Sequence, residues 1–130
     1  MTGVIPWVRP LVLAAALLAI SGAHAAPLDG RTFTGTITRQ GESQGDPDDF
    51  IFKDGKFISS ACAGFGFRPA TYAFTDDGDR LQFRAVSEAD GGVQMQWQGT
   101  IVGDRLEATA HWIRPGQPVM EFRGDATLRH

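Results

Sequence analysis

The sequence predicts an all-β domain, an eight-stranded antiparallel up-and-down barrel, with a Greek-key β-sandwich as the alternative. Three observations lead there. Asp54-Gly55, Asp77-Gly78 and Gly103-Asp104 each stand between runs of alternating apolar and polar residues. Such pairs supply the positive φ that two-residue hairpin turns demand. The registers these turns impose sort the aromatic side chains onto one face, and no long stretch of the domain shows a helical period.

Residues 1–25 read as a secretory signal. Arg9 supplies the positive n-region, Leu11–Ile20 the apolar stretch, and Ala23-His24-Ala25 a cleavage site of the A-x-A kind. That apolar stretch is too short for a membrane span, which takes about 20 residues. Cleavage after Ala25 is therefore expected, leaving residues 26–130 as one domain in the periplasm or outside the cell. With Arg9 removed, 11 basic side chains stand against 15 acidic ones. A mildly acidic chain carries no electrostatic footprint for nucleic acid. Cys62 is the only cysteine, so no disulfide closes within the chain, and a domain of this size can bury a core without such a staple.

Strands are expected over 31–39, 49–53, 56–60, 70–75, 80–88, 92–102, 105–114 and 118–129. A two-residue loop at Asp54-Gly55 sets Phe52 opposite Phe57 and Phe50 opposite Ser59, all on one face. A loop at Asp77-Gly78 sets Phe74 opposite Leu81 and Tyr72 opposite Phe83. A loop at Gly103-Asp104 sets Ile101 opposite Leu106, Trp97 opposite Ala110 and Met95 opposite Trp112, with Gln94, Gln96, Gln98, Glu107 and His111 on the other face. A slip of one residue would turn every apolar set outward. Phe33-Thr-Gly35-Thr-Ile37, Trp97-Gln-Gly99-Thr-Ile101 and Phe122-Arg-Gly124-Asp-Ala126 share an aromatic-x-Gly-x-apolar pattern. An inward glycine relieves crowding where a strand of a closing barrel bends.

The connections are all short enough for neighbouring strands to pair, and closing the meander removes its edges. All three tight hairpins fall at one end. The other end carries Gln40–Asp48, Ala61–Pro69, Ala89–Gly91 and Pro115–Gln117, two of them long for hairpin connections. The inward residues expected nearest this open end are Ile37, Phe50, Ser59, Tyr72, Phe83, Met95, Trp112 and Met120. Apolar walls with one phenol and one hydroxyl suit a small apolar or amphipathic ligand, provided side chains leave room inside. Cys62, Phe65, Phe67 and Arg68 lie in the Ala61–Pro69 loop. Phe65 and Phe67 either fold over the open end as a lid or face a partner, and Cys62 between alanines reads as a buried small hydrophobe.

This layout resembles a minimal calycin, the barrel class of lipocalins and avidins, with shorter strands than lipocalins have. More locally, Phe52-Lys53-Asp54-Gly55-Lys56-Phe57, Ser59-Ser60, Cys62 and Gly66-Phe67 resemble a pattern in short exported bacterial proteins of unassigned function. Neither resemblance supplies a catalytic residue. Small exported barrels that inhibit proteases or lysozymes are similar in layout, which implies the alternative of a hydrolase inhibitor or envelope adaptor. In that alternative Phe65, Phe67 and the acidic segment around Asp46, Asp48 and Asp49 are the contact surface.

Several chemistries find no support. His111, His130 and Cys62 have no zinc-motif spacing. Ser59 and Ser60 have no helical elbow and no His or Asp partner at motif spacing. Asp76, Asp77 and Asp79 read as turn residues, because Asp bonds its own backbone and tolerates left-handed conformations. The expectation is a binding protein rather than an enzyme, with no cofactor, no metal and no membrane span after the signal. Its partner is either a small apolar or amphipathic molecule or another exported protein.

Overall fold

The structure is a computed structural model that describes residues 27–130; the expected signal segment lies outside them. Eight strands close into a barrel in sequence order: β1 (Thr32–Arg39), β2 (Asp46–Lys53), β3 (Lys56–Ser59), β4 (Ala70–Asp76), β5 (Arg80–Ala89), β6 (Val93–Val102), β7 (Arg105–Ile113) and β8 (Met120–Leu128). A single helical turn, α1 (Ser60–Ala63), interrupts the meander between β3 and β4. β8 pairs back onto β1, from Phe33 opposite Leu128 to Arg39 opposite Phe122, and this seam closes the barrel. The expected barrel is the one observed, and the sandwich alternative is excluded.

Two hairpins adopt the expected registers, β2–β3 around Asp54-Gly55 and β6–β7 around Gly103-Asp104. Asp54 and Gly55 both have positive φ, 55° and 75°, as a type I′ turn requires. The β4–β5 hairpin differs. Phe74 lies opposite Phe83 and Tyr72 opposite Ala85, so the loop pair is Gly78-Asp79 and not Asp77-Gly78. Only Gly78 has positive φ there, at 84°, so the left-handed residue comes first in the pair, which is the type II′ order. The Asp76 carboxylate accepts the Gly78 N–H at 3.0 Å and holds that turn. Because the pairing moves by two residues, every side chain keeps its expected face.

β2 starts three residues earlier than expected, with Pro47 opposite Thr36. Its pairing with β3 ends at Phe50–Ser59, so Pro47 has a strand on one side only, where a missing N–H is tolerated. β3 and β4 pair through only two positions, Lys56–Thr71 and Phe57–Ala70. β4 therefore begins halfway down the wall, and residues 60–69 cover the distance from the open end.

The barrel axis is filled by rings. Phe33, Phe50, Phe52, Phe57 and Phe83 are all buried. Phe52 has the rings of Phe57, Tyr72 and Phe83 at 5.1–5.2 Å, and Phe57 has Phe83 and Trp97 at 5.1 Å. Most of these contacts are edge-on, the arrangement the ring quadrupoles favour. The inward glycines serve this packing. A methyl group on Gly99 would run into the Phe83 ring, one on Gly124 would lie 2.8 Å from Phe50 Cζ, and one on Gly35 would meet the Asp125 carbonyl oxygen.

The tight-hairpin end is closed by the segment before β1. Leu28 is fully buried, and Gly30 N–H donates to the Phe52 carbonyl at 2.8 Å. The Asp29 carboxylate accepts the Gly55 N–H at 2.9 Å and the Tyr72 hydroxyl at 2.7 Å. Burial, reinforced by that carboxylate, holds the Tyr72 phenol above its ordinary pKa.

Candidate functional site

The opposite end is shaped by a buried carboxylate. In β2, Phe50 and Phe52 point inward, so period two turns Asp48 inward as well, and it is 3% exposed. It accepts three hydrogen bonds: from Ser59 Oγ at 2.6 Å, from Ser60 Oγ at 3.1 Å and from the Ala61 N–H at 3.0 Å. Ser59 Oγ in turn accepts the Cys62 N–H at 3.2 Å as the N-cap of α1. A negative charge can stay buried here because hydrogen bonds replace its water. Its effect is to turn the chain sharply out of β3 and hold α1 against the barrel.

The segment leaving α1 lies across the open end. Phe65 N–H and Phe67 N–H both donate to the Cys62 carbonyl, and Arg68 N–H donates to the Glu88 carbonyl of β5. Phe67 is buried and meets Trp112 edge-on at 6.3 Å. Phe65 rests on Trp112 at 6.0 Å yet is 72% exposed. Trp112 also touches Phe122 at 6.2 Å and carries the Arg114 guanidinium over its ring at 4.7 Å. Arg114 Nη2–H points at Met120 Sδ, 3.3 Å away. The rim of the open end is therefore an aromatic patch with one cation, covered by an exposed phenyl ring.

Of the residues expected to bind a ligand, Trp112 and Met120 belong to this rim. Met95 is buried opposite Trp112. Phe50 belongs to the ring-filled interior, and Ser59 is committed to the Asp48 network. Tyr72 and Phe83 do not lie near the open end. Tyr72 bonds Asp29 at the other end, and Phe83 sits between Phe74 and Gly99. The sequence reading assumed level strands, whereas the short β3–β4 ladder shifts β4 down the wall by several residues. Ile37 lies between Asp46 and Gly124.

Within the loop, Phe67 acts as a lid while Phe65 stays outside. Arg68 is exposed and pairs with Asp90 at 3.1 Å. Cys62 is buried, and that burial pushes its thiol up to about 11, with Asp48 adding to the effect and the Ser59 hydrogen bond opposing it. Its thiolate, the reactive form, is scarce at neutral pH. Nor is the acidic segment a free contact surface: Asp48 is buried, and Asp49 accepts from Thr34 Oγ1 and Arg129 Nη2. Asp48 and Arg114 are the residues sequence reasoning missed. Alternation carried back from Phe50 would have found Asp48; nothing in the sequence marks Arg114.

His111 faces outward beside Glu121 at 3.7 Å, and His130 lies 3.4 Å from Asp104. Among the described residues no three His, Cys, Asp or Glu side chains gather as a metal-ligand set. Two concavities are formed on the outer wall. One of about 660 Å³ is walled by Arg84, Gln98 and Thr109 on one side and Gln82, Thr100 and Glu107 on the other. The second, of about 710 Å³, lies over β3–β5 beside Lys56, Arg68 and Val86. Comparison with known proteins finds no matching family model, no matching curated protein and no matching solved structure. The likeness to calycins accordingly rests on strand number and order.

Proposed function

We propose that this chain is an exported, non-catalytic binding module that meets an exported protein partner with the rim of its open end. The observation that carries the reading is Phe65. A phenyl ring 72% exposed in the Ala61–Pro69 loop, flanked by Gly64 and Gly66 and backed by Trp112, is an apolar contact presented to solvent. Val119, 55% exposed, precedes β8 at the same end. The interior supports the same reading, since interlocked rings occupy the space where a lipocalin-like barrel would hold a ligand. Ser59, the buried one of the two serines that donate to the Asp48 carboxylate, is 4% exposed and engaged both as donor and as acceptor. It offers no nucleophile to a substrate.

The test is native mass spectrometry of the protein isolated from its own host. A partner polypeptide retained by the wild type and lost in Phe65→Ser is the expected result. A small molecule retained equally by wild type and Phe65→Ser, and released only on unfolding, would place a ligand inside the barrel and overturn the reading.

A further inference from the structure

Across β5–β8 the outer wall of the barrel is sunk into a concavity of about 660 Å³, within the size range of small-ligand sites. Its shape follows from the core. At Gly99 the backbone comes so close to the Phe83 ring that a methyl group would not fit. Phe83, Gly99 and Ala108 lie side by side as one inward-facing row, and the backbone of that row is the floor. Alternation along each strand turns the rows on either side of it outward. Arg84, Gln98, Thr109 and Arg123 form one wall, and Gln82, Thr100 and Glu107 the other. The result is a groove that runs across the strands. Two residue rises separate its walls by about 7 Å, and three strand spacings carry it about 14 Å from β5 to β8.

The walls are rich in unspent hydrogen-bonding groups. Among the described residues, the side chains of Gln82, Gln98, Thr100 and Thr109 make no hydrogen bond. Each amide and each hydroxyl can both donate and accept. The charges are matched except for one. Glu107 pairs with Arg105 at 3.7 Å and Arg123 with Asp125 at 3.5 Å. The exposed Arg84 has no carboxylate within ion-pair distance among the described residues. The complementary ligand therefore bears several hydroxyls and one negative charge. No side chain on the two walls is aromatic, so a flat base or ring finds nothing to stack on. An extended peptide sends side chains to both edges and needs a broader trough.

We propose that the groove is a saccharide site, which takes a short sugar chain bearing a carboxylate. Arg84 donates to the carboxylate, while Gln82, Gln98, Thr100 and Thr109 exchange hydrogen bonds with the hydroxyls. The site is separate from the rim and from the protein met there. Being open to solvent, it exchanges its ligand without unfolding.

The experiment screens the mature protein on an array of oligosaccharides containing uronate or sialate, printed beside their neutral counterparts. The strongest acidic saccharide is then titrated in solution by calorimetry and by NMR. The expected result is that at least one acidic saccharide binds, about 10- to 100-fold tighter than its neutral counterpart, the range for hydrogen bonds to a charged group. It moves the Gln98 side-chain amide and Gly99 N–H signals and leaves that of Phe65 in place. Arg84→Gln, folded by circular dichroism, abolishes the preference for the acid. Gln98→Ala, on the exposed wall, weakens binding about 3- to 10-fold. Phe65→Ser binds the saccharide as the wild type does, so failure of this site and failure of the rim are told apart. An array without a bound acidic saccharide, or acid and neutral forms bound equally, would overturn the proposal. A saccharide held as tightly by Arg84→Gln, or shifts confined to the rim, would also overturn it.

Discussion

Asp48→Ala removes the group that fastens the lid segment to the barrel, and its cost follows from the bonds it makes. Three donors lose a charged acceptor: two hydroxyls and one backbone N–H, at 2.6–3.1 Å. Ser60 is exposed and recovers water, whereas Ser59 is 4% exposed and is left with a buried hydroxyl lacking its acceptor. Hydrogen bonds to charged groups contribute about 1.5–3 kcal/mol each, and a stranded buried donor costs about 1–3 kcal/mol. Allowing for the solvated Ser60, the expected loss is about 3–5 kcal/mol. For a domain of this size that lowers Tm by roughly 15–25 °C. Asp48→Asn keeps the volume and one acceptor oxygen, so about half the loss is expected. Urea unfolding followed by circular dichroism measures both variants, and thiol labelling of Cys62 reports whether α1 has come away. A loss below about 1 kcal/mol in Asp48→Ala, with Cys62 still protected, would refute the assignment of the network as the anchor of the rim.

Further expected outcomes concern the core, the closed end and alkaline pH. Gly99→Ala drives a methyl group against the Phe83 ring and is expected to lose about 1–3 kcal/mol by overpacking; Gln98→Ala, its exposed neighbour, should stay within about 0.5 kcal/mol in the same urea titration. Tyr72→Phe removes the 2.7 Å bond to Asp29, with an expected loss of about 1.5 kcal/mol and faster hydrogen exchange at Gly30 and Arg31. The folded Cys62 thiol keeps its proton up to about 11, against 9.0 for the free thiol. Between those values the folded state therefore binds more protons than the unfolded one. This contribution is fully present below pH 9 and lost as pH rises through 11, amounting to about 2–3 kcal/mol. Comparing wild type with Cys62→Ala at pH 8 and pH 11 isolates it from the parallel effect of Tyr72, and identical pH dependence in the two proteins would contradict it.

Architecture was legible because three loop pairs and strict alternation each pointed to the same faces. Phe50, Phe52, Phe57, Met95 and Trp97 all turn inward as the two-residue period requires. The β4–β5 register was ambiguous for a local reason. Asp76-Asp77-Gly78-Asp79 offers two adjacent pairs of turn residues, and the choice between a type I′ turn at Asp77-Gly78 and a type II′ turn at Gly78-Asp79 rests on a φ angle. What the period cannot convey is height along the barrel. The stagger of β4 comes from the interrupted β3–β4 ladder, and it moved Tyr72 from the expected rim to the opposite end. The Asp48 network was hidden for a related reason, since Pro47 reads as the end of a loop and concealed that β2 already runs there. Arg114 could not be identified at all from sequence. It stacks over the ring of Trp112, two residues before it, a contact that no local pattern marks.

The central claim, that the protein partner binds at the rim and not within the barrel or on its outer wall, is tested most directly by photo-cross-linking in the native host. A photoreactive phenylalanine analogue at position 65 is compared with the same analogue at the exposed outer-wall positions Val86 and Val102. The account predicts one discrete cross-linked partner from position 65, competed away by unmodified wild-type protein but not by Phe65→Ser, and none from the two valine positions. A discrete partner captured from position 86 or 102, with position 65 silent, would contradict it and move the binding face to the outer wall.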